Sequence, residues 1–306
     1  MARRRNRAGG PQLKFHQKLI LNRYLLAQFG VGDLEELSQN LKDPSLEKID
    51  SEGVTGFYTK LVSLLSDRCT ISEDRLSQYD LNIVAHMRKI NYRRSEPIVL
   101  KYFQYLTLLF TEYYLDEFFN NRQRLLEGLN DYLESFNEQY PEDSLEPFTE
   151  KDLNKIAVWN ATGSGKTIIM HANYYQYLHY SGDRLPEDAS YILLTPKEGL
   201  SLQHIEDYAD SGIRSSVYDK SSSRWSREAN EICVLENTKL GDRDQDTIVS
   251  VKRFGSRNVV FVDEGHRGSS SGQDGKWQKY RDELCSEGFS FEYSATFGQA
   301  IVASND

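Results

Sequence analysis

The run from Ile156 to Thr167, Ile-Ala-Val-Trp-Asn-Ala-Thr-Gly-Ser-Gly-Lys-Thr, constrains this chain more than any other stretch. A short β-rich segment enters a glycine loop, and Ile-Ile-Met-His-Ala-Asn-Tyr-Tyr leaves it with helical character. Strand, tight loop and helix in that order are the context a phosphate-binding loop requires. Gly163 and Gly165 let the backbone curl so that its N–H groups point inward, and a helix beginning near Lys166 adds its positive dipole end. The expected ligands are ATP and Mg²⁺. Gly163, Ser164 and Gly165 would cradle the phosphates, Lys166 would reach the β and γ oxygens, and the Thr167 hydroxyl would ligate the metal.

The texture around this loop predicts an α/β domain. Residues 155–159, 191–194, 232–235, 259–262 and 289–293 read as strands, and residues 167–180, 200–208 and 276–287 read as helices between them, with a helix or loop at 247–254. Such alternation means a parallel sheet covered on both faces. Residues 15–140 read instead as helices, with apolar stripes at 57–65, 76–87 and 99–119 and a helix start placed at Pro97 and Ile98. Residues 112–150 carry 11 acids against Arg122 and Arg124, and Pro141 and Pro147 stop regular structure there. The expected organisation is a basic flexible tail over 1–14, an all-α domain over 15–150 and the α/β domain over 151–306.

Net charge of -9 argues against a protein that coats nucleic acid by bulk charge, but leaves room for a local basic track. Cys69, Cys233 and Cys285 form no disulfide framework or zinc pattern, which suits a reducing, cytoplasmic compartment. The most apolar stretch, residues 98–119, contains Lys101, Gln104, Glu112, Asp116 and Glu117, so no membrane span is expected.

The apolar run Val259-Val260-Phe261-Val262 leads into Asp263-Glu264-Gly265-His266. A buried strand that ends in two acids delivers carboxylates at the carboxyl edge of a sheet, where α/β folds bind ligands. Asp263 would hold Mg²⁺, and Glu264 would orient and deprotonate an attacking water. This acidic turn resembles the DEAD/DEAH box, and Ser294-Ala295-Thr296 resembles motif III of superfamily 2 helicases and translocases. Thr195-Pro196-Lys197 with Leu200 and Gln203 resembles motif Ia. The wording of the motifs is most similar to the helicase subunits of type III restriction enzymes and related defence helicases. One departure is visible: Asn160 stands where the G-x-x-x-x-G-K-T pattern usually has its first glycine, a replacement tolerated in some branches of the loop's users.

The resemblance implies a RecA-like P-loop NTPase domain in which Lys166, Asp263 and Glu264 are catalytic. It implies that His266, Ser294 and Thr296 couple nucleotide state to the nucleic-acid track, and that Pro196, Lys197 and Gln203 touch nucleic acid, with DNA favoured. Thr238, Lys239 and the loop from Lys220 to Arg224 with Trp225 are further candidate contacts without motif support, and equally read as ordinary solvated surface. Leu100-Lys101-Tyr102-Phe103-Gln104 is similar to the adenine-reading Q motif, although Gln104 equally suits a polar position on an aromatic core helix. The chain stops at Asp306, ten residues past Thr296, without the second RecA-like domain that carries motifs IV to VI. The expectation is therefore the first half of a motor, weak or inactive alone. Its partners would be that second domain or a subunit carrying it, and a methyltransferase/specificity subunit. A non-catalytic nucleotide-binding module that docks a partner stays open as a second reading.

Overall fold

The computed structural model describes residues 13–65, 67–182, 189–220, 230–245, 247–264 and 273–296. Its strands are β1 (Lys155–Trp159), β2 (Tyr191–Thr195), β3 (Ser215–Val217), β4 (Ile232–Glu236), β5 (Leu240–Gly241), β6 (Val249–Ser250), β7 (Val259–Asp263) and β8 (Phe289–Ser294). Six of them form one parallel sheet in the order β1-β8-β7-β2-β4-β3, and β5 pairs with β6 alone. The central strands β2 and β4 are buried along their whole length, whereas β1 at one edge alternates exposed and buried. The sequence marks the first kind, since a strand covered on both faces reads as a continuous apolar run; β1, Lys-Ile-Ala-Val-Trp, is almost as apolar, and its edge position shows only in the burial.

The described helices are α1 (Ile20–Gln28), α2 (Leu34–Ser38), α3 (Gly56–Leu64), α4 (Glu73–Asn91), α5 (Tyr102–Asn120), α6 (Arg122–Gln139), α7 (Lys166–Ser181), α8 (Glu198–Asp210) and α9 (Gln273–Leu284). Asp33, Thr55 and Ser72 accept the free N–H groups at the starts of α2, α3 and α4. α5 begins at Tyr102, later than the proline suggests. The Asn91 side chain pairs with both backbone groups of Ile98 at 2.9 Å, which keeps that residue out of the helix. Gln104 Oε1 then accepts the Lys101 N–H at 2.8 Å and starts the first turn. Residues 247–254, expected as helix or loop, instead contain β6 and a single 3₁₀ turn, Val251–Phe254.

After α6 the chain returns along the helix it has just left. Asn130 pairs with both backbone groups of Phe148 at 2.8 and 3.0 Å, and Asn137 does the same for Leu145 at 2.9 Å. The return brings the chain to β1.

Each face of the sheet is covered. On one, Leu193, Phe261 and Phe291 pack with Ile169 and Met170 of α7, and this core continues into Tyr105, Leu108 and Tyr114 of α5. On the other, Ile192, Leu194, Val260 and Val262 pack with Phe254 and with Tyr280 and Leu284 of α9. The helices ahead of β1 thus form an outer layer over α7 and share its core. Among the described residues, no helix is long and apolar enough to cross a membrane.

A buried carboxylate joins that outer layer to α7. Glu112 of α5 is fully buried and accepts from Asn82 of α4 at 2.9 Å, Gln176 at 2.7 Å and Tyr180 at 2.6 Å. Each donor left unmade in such a place costs about 1–3 kcal/mol. Glu112→Ala is therefore expected to destabilise the fold by about 3–5 kcal/mol in urea melts, the range for stripping one partner from a buried charged network. Glu112→Gln, which keeps an acceptor, should lose less; a loss below about 1 kcal/mol for the alanine variant would contradict the role given to this carboxylate.

Candidate active site

Because β1, β8 and β7 are neighbours and parallel, their carboxyl ends open on one edge, the usual ligand edge of such a sheet. Trp159 pairs in register with Ser294, and Asp263 with Tyr293. The loop after β1 and the acid at the end of β7 lie two strand spacings apart, about 10 Å, with Ser294 between them.

The loop is fixed at both ends. The Asn160 N–H donates to Ser294 O at 3.2 Å, and Trp159 Nε1 donates to Ala295 O at 3.0 Å, which ties the loop's start to the exit of β8. Ser164 N–H closes a turn on Ala161 O at 3.2 Å. Gly163 and Gly165 have φ of 76° and 80°, the left-handed region that glycine enters without steric cost. Gly165 caps α7, its carbonyl accepting from Ile168 and Ile169 at 3.0 and 3.1 Å.

From α5, Gln104 braces the loop. Its Nε2 donates to Ser164 O at 2.9 Å while its Oε1 holds the Lys101 N–H, so both ends of the buried amide are engaged within the protein. A side chain on Gly165 would place its Cβ 2.5 Å from Gln104 Nε2. The 62 residues between Gln104 and Lys166 are the rest of α5, α6, its return strap, β1 and the loop itself, which bring the two back together.

Among the described residues, Lys166 Nζ makes only long contacts, 3.5 Å to Asn160 O and 3.4 Å to Ala161 O. Ser164 Oγ and Asn160 Nδ2 are buried without a hydrogen-bond partner among the described residues. Orphaned polar atoms, a weakly held ammonium and inward backbone turns suit a multiply charged oxyanion ligand, so the loop fits the phosphates of a nucleotide. Thr167, half-buried, lies in the first turn of α7.

At the end of β7, Asp263 is mostly buried, and its Oδ2 lies 3.2 Å from His204 Nε2. Glu264 follows with φ of 56°, a left-handed conformation that costs a residue with a side chain about 1–2 kcal/mol. Backbone strain of this sort gathers at functional sites, where the surrounding fold holds it. Buried Ser294 Oγ accepts the Thr296 N–H at 3.0 Å and lies 3.5 Å from Thr296 Oγ1. His266 lies outside the described residues.

Beyond β2, Thr195 and Ser201 hydroxyls meet at 2.6 Å and pin the strand exit to the first turn of α8. Pro196 is half-buried, while Lys197 and Gln203 are exposed and face solvent near the same edge. Thr238 is exposed, Lys239 is paired with Glu236 at 2.6 Å, and Lys220 is taken up by the carbonyls of Gln245 and Ile248. Residues 221–225 lie outside the described residues. Sequence reasoning singled out Gln203 and passed over His204, its neighbour. The available signal was the inward stripe Ser201, His204, Tyr208, which are the buried residues of α8.

A parallel sheet in this strand order, with a glycine loop leading from its edge strand into a helix, defines a RecA-like P-loop NTPase domain of the helicase superfamily 2 kind. The family described as "Type III restriction enzyme, res subunit" matches residues 118–299, more than half of the chain, and the chain belongs to that family. It is a family of helicase-type ATPases that generally use ATP and Mg²⁺. The match begins near the end of α5 and takes in α6 and the whole sheet. No curated protein and no solved structure matches the chain.

The two loop glycines are expected to differ in what they tolerate. Gly163→Ala meets open space and should cost only its backbone strain, about 1–2 kcal/mol. Gly165→Ala adds a collision with Gln104 and should cost more, with part of that excess recovered in the double variant carrying Gln104→Ala. Equal losses for the two glycine variants in urea melts would contradict the bracing contact.

Proposed function

We propose that this chain is the ATP-binding half of an ATP-dependent nucleic-acid helicase or translocase, with DNA as the favoured track and restriction or phage defence as its setting. The observation that carries the proposal is the shared edge on which the glycine loop, the Asp263–Glu264 strand end and the Ser294–Thr296 turn come together.

On this reading, backbone N–H groups of residues 163–167 and the start of α7 hold the phosphates, and Lys166 swings from its two carbonyl contacts onto the β and γ oxygens. Thr167 and Asp263 hold Mg²⁺, which when bound neutralises charge on the phosphate oxygens. Glu264, held in its left-handed turn, orients a water and takes its proton. Ser294 and Thr296, hydrogen-bonded to each other beside the loop, carry the state of the site toward the nucleic-acid edge, with His266 as a further member. Pro196, Lys197 and Gln203 lie along the strand track, where backbone contacts suffice and the overall acidity of the chain is no obstacle.

The transition-state arginines belong to a partner unit with motifs IV to VI, either a C-terminal RecA-like domain or a separate subunit. Such an arginine supplies about 10³–10⁵ in rate, so turnover is expected to depend on that unit. A methyltransferase/specificity subunit is the further partner proposed.

Calorimetry with Mg·ATP tests the site directly. The chain should bind, and Lys166→Ala should lose that binding; unchanged binding in the variant would remove the phosphate loop from the account. In the presence of the partner unit, DNA should raise the ATPase rate, and a rate indifferent to DNA would contradict the motor function.

A further inference from the structure

The contact between His204 and Asp263 has no place in the roles given so far. His204 projects from α8, while Asp263 ends β7, so the pair bridges a helix and a strand that are distant in sequence. Both side chains are sheltered, with 6% and 15% of their surface exposed. With the carboxylate oxygen as the acceptor, His204 Nε2–H is the donor across this 3.2 Å contact. His204 Nδ1 has no partner among the described residues, where the donor bond to Asp263 is what fixes the ring's hydrogen bonding.

The imidazole is also held from behind. Tyr208, on the same inward stripe, lies with its ring 6.2 Å from that of His204 and is itself stacked on His171 of α7 at 4.4 Å. Tyr208 is fully buried, and its hydroxyl donates to Met170 Sδ at 3.2 Å. Burial pushes the His171 pKa down to about 3, so this neighbour is a neutral, fixed ring at physiological pH. A row of His171, Tyr208 and His204 therefore connects the helix that follows the phosphate loop to the acid at the end of β7.

We propose that His204 is a positioning residue for Asp263: it engages one carboxylate oxygen and so presents the other to the Mg²⁺ of a bound nucleotide. The proposal rests on Asp263 being the metal-holding acid of the site. Outer partners of this kind fix the orientation of a ligating carboxylate, and their loss typically weakens metal affinity about 10–100-fold. A histidine that merely fills the α8 stripe would leave metal affinity unchanged when replaced by a residue of similar size.

The test compares binding of the non-hydrolysable analogue AMPPNP with and without Mg²⁺ by calorimetry. In the wild-type chain Mg²⁺ should tighten binding, and Asp263→Asn should lose that tightening; if the wild type gains nothing from Mg²⁺, the site reading itself fails. With that reading standing, His204→Leu, which keeps the volume without the donor, should lose about 10-fold or more of the Mg²⁺-dependent tightening while Mg²⁺-free binding stays unchanged. His204→Gln, which carries an amide N–H, should recover part of it. Full tightening in His204→Leu overturns the proposal and leaves the site intact. A second readout needs no variant to fold: in wild-type protein with ¹⁵N-labelled histidine and bound AMPPNP, adding Mg²⁺ should shift one buried-histidine Nε2 signal. If no histidine signal moves on saturation with the metal, the proposal is equally overturned.

Discussion

Parallel hydrogen bonding between β1 and β8 and between β8 and β7 is the constraint on which everything else in this molecule depends. The glycine loop and the acidic turn are about 100 residues apart in sequence, and neither carries chemistry alone. Parallel pairing places their carboxyl ends on one edge, at a separation set by strand spacing. The Asn160–Ser294 and Trp159–Ala295 bonds extend that pairing past the last ladder residues, so the loop begins where the sheet ends rather than hanging from it.

A second constraint comes from the helices ahead of the sheet. They share a core with α7, and the Glu112 carboxylate ties α4 and α5 to that helix. Through Gln104 the same layer also reaches the glycine loop. The loop is therefore held by contacts from both the sheet and the helical layer, while Ser164 Oγ and Asn160 Nδ2 are buried without a hydrogen-bond partner among the described residues. A backbone held in place with unmet hydrogen bonding is what electrostatic preorganisation for an anionic ligand requires.

Much of this was legible in the sequence. Continuous apolar runs such as Tyr191–Leu194 and Ile232–Leu235 mark strands buried on both faces, and the strand, loop and helix around Lys166 mark the sheet edge on which the glycine loop lies. The rest was hidden for physical reasons. β3 is three residues long and mostly exposed at the far edge, so it has no apolar run to detect. The start of α5 is set by a side chain, Asn91, that captures Ile98, and propensity holds no record of such a contact. Gln104 was visible as a polar residue on an aromatic helix, but its partner is a backbone carbonyl 60 residues away. His204 was visible as part of a buried stripe, but its relation to Asp263 exists only once α8 has packed on the sheet.

The central claim is that residues 160–167 form a receptive phosphate loop at the joint carboxyl edge of β1, β8 and β7. Hydrogen–deuterium exchange of this chain, with and without Mg·AMPPNP, measures it most directly. The account predicts that nucleotide slows exchange at the backbone amides of 163–167 and at the ends of β7 and β8, while the outer faces of α1 and α6 stay unchanged. Protection absent from the loop, or confined to the helical layer, would contradict it.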